Sequence, residues 1–351
     1  MKLAFIGCGK LGQPASEYIE SHGYKMNRVD IGDSIKDGVK DCTFVFVAVP
    51  TPHDPHYDGK YPCSHLPPKD FDYTILKDVI EEANKYMTQD QCLVVVSTVL
   101  PGTIRKQIAP LVTNTNLLYN PYLIAMGTVK ADMEKPEMIM IGGNIDWASK
   151  LIHIYEKICF CKRYVTGTWE ECEAVKIFYN TFITTKITLV NMIQDVAEKL
   201  GNMDSGKVAR ALAESEKRIM SPMYMKPGMG DGGACHPRDN IALRYLAQDL
   251  DLGYDMFDTI INAREKQAQN MADEILNKGV RIQFSSDSFK PGTDITDGSY
   301  SLLVQHYVKE MGGKIVDENP HVYVLVHPGD KRHENNEVIN FDPWDEYGNT
   351  R

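Results

Sequence analysis

The chain has 351 residues, enough for two or three domains with cores of their own. Its apolar share of 43% and charged share of 25% are those of an ordinary water-soluble globular protein, and no apolar run approaches the roughly 20 residues of a membrane helix. A net charge of −10 argues against nucleic acid as a partner, and it requires that the charge of any phosphorylated ligand be met by a few local Lys and Arg side chains. The eight cysteines are scattered without disulfide-framework density or paired metal spacing, which points to a reducing cytoplasm. His53, His56 and His65 stand in a proline-rich loop without helical or hairpin spacing, so no metal is expected there.

Residues 2–6 read as a buried strand rather than a leader, and Gly7-Cys8-Gly9-Lys10-Leu11-Gly12 follows at once. A helix is predicted from Leu11 to Ser21. Strand, GxGxxG and helix in that order are a dinucleotide-binding unit: the glycines allow a tight turn and close approach of a pyrophosphate, and the helix N-terminus attracts it. A second strand, Lys25 to Asp30, ends in an acid 23 residues after Gly7. An acid there accepts from ribose hydroxyls and repels a 2′-phosphate, favouring NAD over NADP. The competing role for Asp30 is a helix cap or turn acid.

Strands are predicted at Thr43–Val49 and Leu93–Val96 around a helix from Asp72 to Met87, with an exposed loop over 53–70. Continued alternation to Ile141 predicts an N-terminal Rossmann doubly wound parallel sheet in an α/β protein. From Trp169 to Leu200 the pattern becomes one long helix, with apolar Val175, Phe178, Ile183, Ile187, Val190, Ile193 and Val196. Helices are predicted to continue to about residue 275. The remainder reads as a strand at 280–284, a helix at 299–311, strands near 314–316 and 322–326, and a polar tail. The predicted domains are therefore 1–165, a central helical region 166–275, and an abbreviated C-terminal Rossmann-like α/β domain 276–351.

One interruption of the helices stands out: Pro227-Gly228-Met229-Gly230-Asp231-Gly232-Gly233-Ala234-Cys235-His236-Pro237-Arg238-Asp239. Four glycines, Gly228, Gly230, Gly232 and Gly233, give a backbone that a bulky ligand can approach. A thiol and, four residues on, a carboxylate suit covalent catalysis. A buried, inert thiol in a glycine-rich loop is the alternative.

Taken in order, these segments resemble the UDP-glucose/GDP-mannose 6-dehydrogenase family over nearly the whole length. The motifs are Gly7-x-Gly9-x-x-Gly12, Val49-Pro50-Thr51-Pro52, Ser97-Thr98-Val99…Pro101-Gly102-Thr103, Asn120-Pro121, Lys176-x-x-x-Asn180, Gly230-x-Gly232-Gly233-x-Cys235-x-Pro237-x-Asp239, and Phe289-Lys290-Pro291-x-Thr293-Asp294. The resemblance implies two Rossmann-like domains joined by a long helix at a homodimer core. It also implies oxidation of a nucleotide sugar at C6 to a carboxylate with two NAD per turnover. Cys235 would attack the C6 aldehyde, Lys176 and Asn180 would stabilise the oxyanion, and Asp239 with Thr98 would handle a water. Gly7, Gly9, Lys10, Leu11, Gly12, Asp30, Val49, Pro50, Thr51 and Thr98 would meet the cofactor. Tyr122, Lys176, Asn180, Arg218, Tyr224, Gly230, Gly232 and Lys290 would meet the substrate, Arg218 in the neighbouring subunit's site. Lys176, Arg218, Lys226, Arg238 and Lys290 supply the local positive charge.

The chain departs from the family pattern in three places. Tyr122 and Met126 stand where the family carries two glutamates, the first of them its base for thioester hydrolysis. Asp297 stands where the family carries an arginine near the cofactor. The segment between Asp30 and Thr43 and the C-terminal domain are both short. UDP-glucose to UDP-glucuronate is the expected reaction. The alternatives are another sugar nucleotide (GDP-mannose or a UDP-N-acetylhexosamine), a catalytically impaired dinucleotide-binding scaffold, and a β-hydroxyacid-type dehydrogenase, which needs no thiol.

Overall fold

The computed structural model describes residues 1–52, 67, 69–124, 128–161, 163–220, 228–229, 244, 246–296 and 298–344. The chain divides into two compact units, Met1–Lys186 and Ile187–Arg351. The first unit is built on a seven-stranded sheet in the order β2-β1-β3-β4-β5-β6-β7. Its strands are β1 Lys2–Ile6, β2 Lys25–Val29, β3 Phe44–Val47, β4 Cys92–Val95, β5 Asn116–Tyr119, β6 Ile139–Gly143 and β7 Tyr164–Gly167.

Strand side chains alternate between the two faces, and both faces are covered. Leu3, Phe5, Phe44, Phe46, Cys92 and Val94 enter one core, closed by α1 (Gly12–Ser21), α4 (Val129–Glu134) and α5 (Ile145–Ile158). Ala4, Ile6, Val45, Val47, Leu93 and Val95 enter the other, closed by α2 (Ile35–Val39), α3 (Thr74–Tyr86) and a π-helical turn at Ile104–Ile108. The rings of Phe5 and Phe46 stack at 4.9 Å in the first core, and Trp147 of α5 meets Phe44 edge-on at 5.5 Å. Asn144 starts α5 by accepting from the Asp146 and Trp147 amides at 2.9 and 3.2 Å.

The sequence predicts a wholly parallel sheet, whereas in the structure β5 and β6 pair antiparallel. Among the described residues, the one helix between them, α4, has six residues. At 1.5 Å per residue it spans about 9 Å, too little to carry the chain back along the sheet for a parallel crossover. β6 therefore enters from the end where β5 finished.

The long helix α6 runs Trp169–Leu200. Gly201 at φ +76° follows it, and Asp204 caps α7 (Ser205–Ala213) by accepting from the Lys207 amide at 2.9 Å. A second break precedes α8 (Met256–Leu276), where Gly253 at φ +78° leads to Asp255, which accepts from the Phe257 and Asp258 amides at 3.0 and 3.1 Å. The helical region is thus interrupted at more places than the cysteine loop alone. Of the apolar residues counted along α6, Val175 packs on the core, whereas Phe178, Ile183 and Val190 are exposed.

In the second unit, β8 (Arg281–Phe284), β9 (Lys314–Ile315), β10 (Val322–Val324) and β11 (Ile339–Phe341) form a parallel sheet ordered β11-β10-β8-β9, packed on α8 and α9 (Tyr300–Glu310). β11 lies in what reads from sequence as a polar tail. It is a three-residue edge strand, too short to show a period of two. Phe46→Ala is expected to destabilise the protein by about 3–5 kcal/mol in urea denaturation. A loss below about 1 kcal/mol would mean that this core is not packed as described.

Candidate active site

β1 and β3 are neighbours in the sheet, yet β2 lies between them in the chain, so the connections leave β1 in opposite directions. Such a switch point opens a crevice beyond the C-terminal strand ends. Here it is a cleft of about 820 Å3, within the size range of cofactor sites. Gly7, Gly9, Lys10 and Leu11 line it after β1, Asp30 after β2, and Val49, Pro50 and Thr51 after β3. Thr98 follows β4, Tyr122 follows β5, and Lys176 reaches in from α6.

The glycines divide the work. Gly7 turns at φ +93°, and a Cβ there would lie 2.7 Å from the Ala48 carbonyl oxygen. At Gly12 a Cβ would come within 1.9 Å of the Gly7 oxygen, so this glycine lets the helix pack on the turn and does not line the cleft. Gly9 has nothing within 4 Å of its Cβ position, leaving the backbone open to a ligand. Open backbone at the start of a ten-residue helix, with Lys10 beside it, fits a pyrophosphate.

Asp30 accepts from the Ile31 amide at 3.0 Å, and its own amide donates to Asp33 Oδ2 at 2.9 Å. Asp33 therefore adds a second carboxylate to the same rim, where the sequence had marked one. Ile31, Ile35, Ile75 and Val79 form an apolar wall nearby. Their signal was weak because they come from three separate segments. Two latches join the β3 and β4 loops: Ser97 Oγ donates to the Val49 carbonyl at 2.6 Å, and Thr51 Oγ1 donates to the Thr98 carbonyl at 2.7 Å.

Lys176 Nζ donates to the Tyr122 carbonyl at 2.6 Å, and burial pulls its ammonium below the ordinary lysine value. The Tyr122 hydroxyl lies 3.2 Å from that of Tyr155, which donates to the Asn120 side-chain oxygen. Asn120 in turn donates to the Met140 carbonyl at 2.7 Å. Burial raises the Tyr122 phenol pKa well above its usual range.

Asn180, one turn past Lys176, is exposed and outside the cleft lining. Arg218 and Lys290 belong to the second unit. Arg218 is exposed, and the Lys290 ammonium sits 5.4 Å over the Phe289 ring. Cys235, Asp239, Tyr224, Gly230, Gly232, Met126, Lys226, Arg238, Asp297 and the three loop histidines lie outside the described residues. Gly228 is described, and the group that approaches it is the chain's own Trp344: a Cβ would lie 2.1 Å from the indole ring. That glycine makes room for packing and not for a ligand.

Two outcomes check this geometry. Gly12→Ala is expected to cost about 1–3 kcal/mol and to weaken NAD binding, read by calorimetry. Unchanged affinity and melting temperature would overturn the packing described for Gly12. Because folding lowers the Lys176 pKa, burial of its charge is unfavourable at low pH, and that penalty is relieved as pH rises through the folded value. In a nitrogen-detected lysine titration Lys176 should therefore deprotonate below Lys85, whose ammonium Glu82 holds above the ordinary value. The reverse order would contradict its burial.

Comparison with known proteins fits this site. A model of the NAD binding domain of the UDP-glucose/GDP-mannose dehydrogenase family matches residues 32–159, and that family's central domain matches residues 170–266. GDP-mannose 6-dehydrogenase of Pseudomonas aeruginosa is 27% identical over 95% of this chain and 77% of its own. The Pseudomonas putida enzyme of that name is 31% identical over 70% of this chain and 58% of its own. UDP-glucose 6-dehydrogenase of Rhizobium meliloti is 24% identical over 88% of this chain and 71% of its own. A crystal structure of a ternary complex of GDP-mannose dehydrogenase from Pseudomonas aeruginosa superposes with a TM-score of 0.86 at 20% identity, covering 98% of this chain and 96% of that one. With the glycine cleft and Lys176 in one unit, and both family domains matched in order, the chain belongs to the UDP-glucose/GDP-mannose dehydrogenase family and uses NAD.

Proposed function

We propose that the protein oxidises the C6 hydroxyl of a nucleotide sugar to a carboxylate, with GDP-mannose a better candidate than UDP-glucose. The observation that carries this reading is Lys176 standing in the same cleft as the glycine turn, where its ammonium can meet an oxygen bonded to the reacting carbon. The relatives named GDP-mannose 6-dehydrogenase, at 27% and 31% identity, favour that sugar over UDP-glucose, for which the relative is 24% identical.

NAD bound in this cleft would supply the oxidant, taking up two electrons in each of two rounds. Asp30 and Asp33 disfavour a 2′-phosphate on its ribose, and the Gly7–Leu11 turn holds the pyrophosphate. Lys176 stabilises the alkoxide as it forms. Cys235 adds to the C6 aldehyde, and the resulting thiohemiacetal is oxidised to a thioester. Water then cleaves this ester, releasing the uronate and regenerating the thiol. Asp239 and Thr98 handle the water, while Tyr122 stays neutral and contributes a hydrogen bond only. With a phenol where the family has a glutamate base, thioester cleavage becomes the slow step. The exposed apolar residues Phe178, Ile183 and Val190 of α6 serve a homodimer contact.

In a single-turnover assay GDP-mannose should give two NADH per sugar, with an acyl adduct on Cys235 that decays more slowly than the second NADH appears. Cys235→Ser should abolish uronate formation. UDP-glucose turning over faster than GDP-mannose would reverse the substrate assignment. Full uronate formation by Cys235→Ser would reject the thioester route, and NADH from no sugar nucleotide would reject the activity.

A further inference from the structure

Glu173 is a carboxylate with no side-chain surface exposed, three residues before Lys176 on α6 and hence on the same face of the helix. Its two oxygens accept from backbone amides of one loop: Oε2 from Gly102 at 2.5 Å and Oε1 from Ile104 at 2.7 Å. The Ile104 amide opens the π-helical turn Ile104–Ile108, where the first amides have no intrahelical acceptor, and Gly102 stands two residues before it. Burial raises the Glu173 pKa, and the two amide bonds partly offset that rise. The loop so held begins at Thr98, which lines the cleft. Its middle is tied by the Leu100 amide donating at 3.2 Å to Tyr73, whose hydroxyl donates to Asp70 at 2.7 Å.

One turn of α6 therefore grips two loops of the cleft wall. Glu173 holds the loop after β4, and Lys176 holds the loop after β5 through the Tyr122 carbonyl. We infer that Glu173 is a positioning residue that fixes Thr98 relative to the Lys176 ammonium without itself reaching the cleft. The inference deepens the dehydrogenase reading and rests on it for its effect on turnover, whereas its effect on NAD affinity stands independently.

The test compares Glu173→Ala, Glu173→Gln and Leu151→Ala, the last a cavity of comparable cost in the core on the opposite face of the sheet. NAD dissociation constants, melting temperatures and, with a sugar nucleotide, kcat and KM are measured on the full chain. Glu173→Ala is expected to raise the NAD dissociation constant about tenfold and to lower kcat at saturating substrate by a similar factor. Glu173→Gln, which keeps one acceptor oxygen, should recover part of both. Leu151→Ala should lower the melting temperature while leaving NAD affinity and kcat near those of the wild type. NAD affinity unchanged in Glu173→Ala, or lost equally in Leu151→Ala, overturns the assignment. If Glu173→Ala does not fold, Glu173→Gln decides: a weaker NAD complex supports the clamp, and an unchanged one overturns it. A wild-type protein without turnover would count against the dehydrogenase reading and leave the NAD measurements to decide the clamp.

Discussion

Alternate side chains of β1, β3 and β4 belong to two different cores, and this double burial constrains the rest of the first unit. A strand covered on both faces can offer polar chemistry only at its ends. The parallel pairing of β1 through β5 then brings those ends to a common rim. Backbone amides, hydroxyls and carboxylates collect there because the interior has no place for them unpaired. The cleft is the outcome of where the apolar runs stop.

Helix α6 is the second constraint. It contributes Trp169, Cys172 and Val175 to the first unit's cores, and it also supplies both charged groups that hold the cleft wall. A buried carboxylate and a half-buried ammonium on one helical turn would each be unfavourable alone. Here the carboxylate is met by the Gly102 and Ile104 amides and the ammonium by the Tyr122 carbonyl. Lys176 lines the cleft, whereas Asn180, a turn further, does not.

Much of this was legible in the residues. Gly7, Gly9 and Gly12 announce a turn against a helix, and Asp30 announces an acid on the cleft rim at a strand end, because both depend on local spacing. The long helix from Trp169 to Leu200 was equally plain, its length exceeding what any strand could reach. What escaped notice depends on partners distant in sequence. Glu173 reads as one more surface acid on a helix until Gly102 and Ile104, about 70 residues away, are placed beside it. Asp33 and the wall of isoleucines acquire meaning only once β2 and α3 share a rim. The antiparallel β6 follows from the length of α4, which periodicity does not reveal.

Gly228 and Trp344 are 116 positions apart and fill one space: the indole occupies the volume a side chain at 228 would need, while its nitrogen donates to the Val326 carbonyl at 3.0 Å. The start of the segment leading to Cys235 and the closure of the second unit's core are thus a single packing decision. Over evolutionary time the constraint runs one way: residue 228 can grow only in a lineage that has already shed the tryptophan.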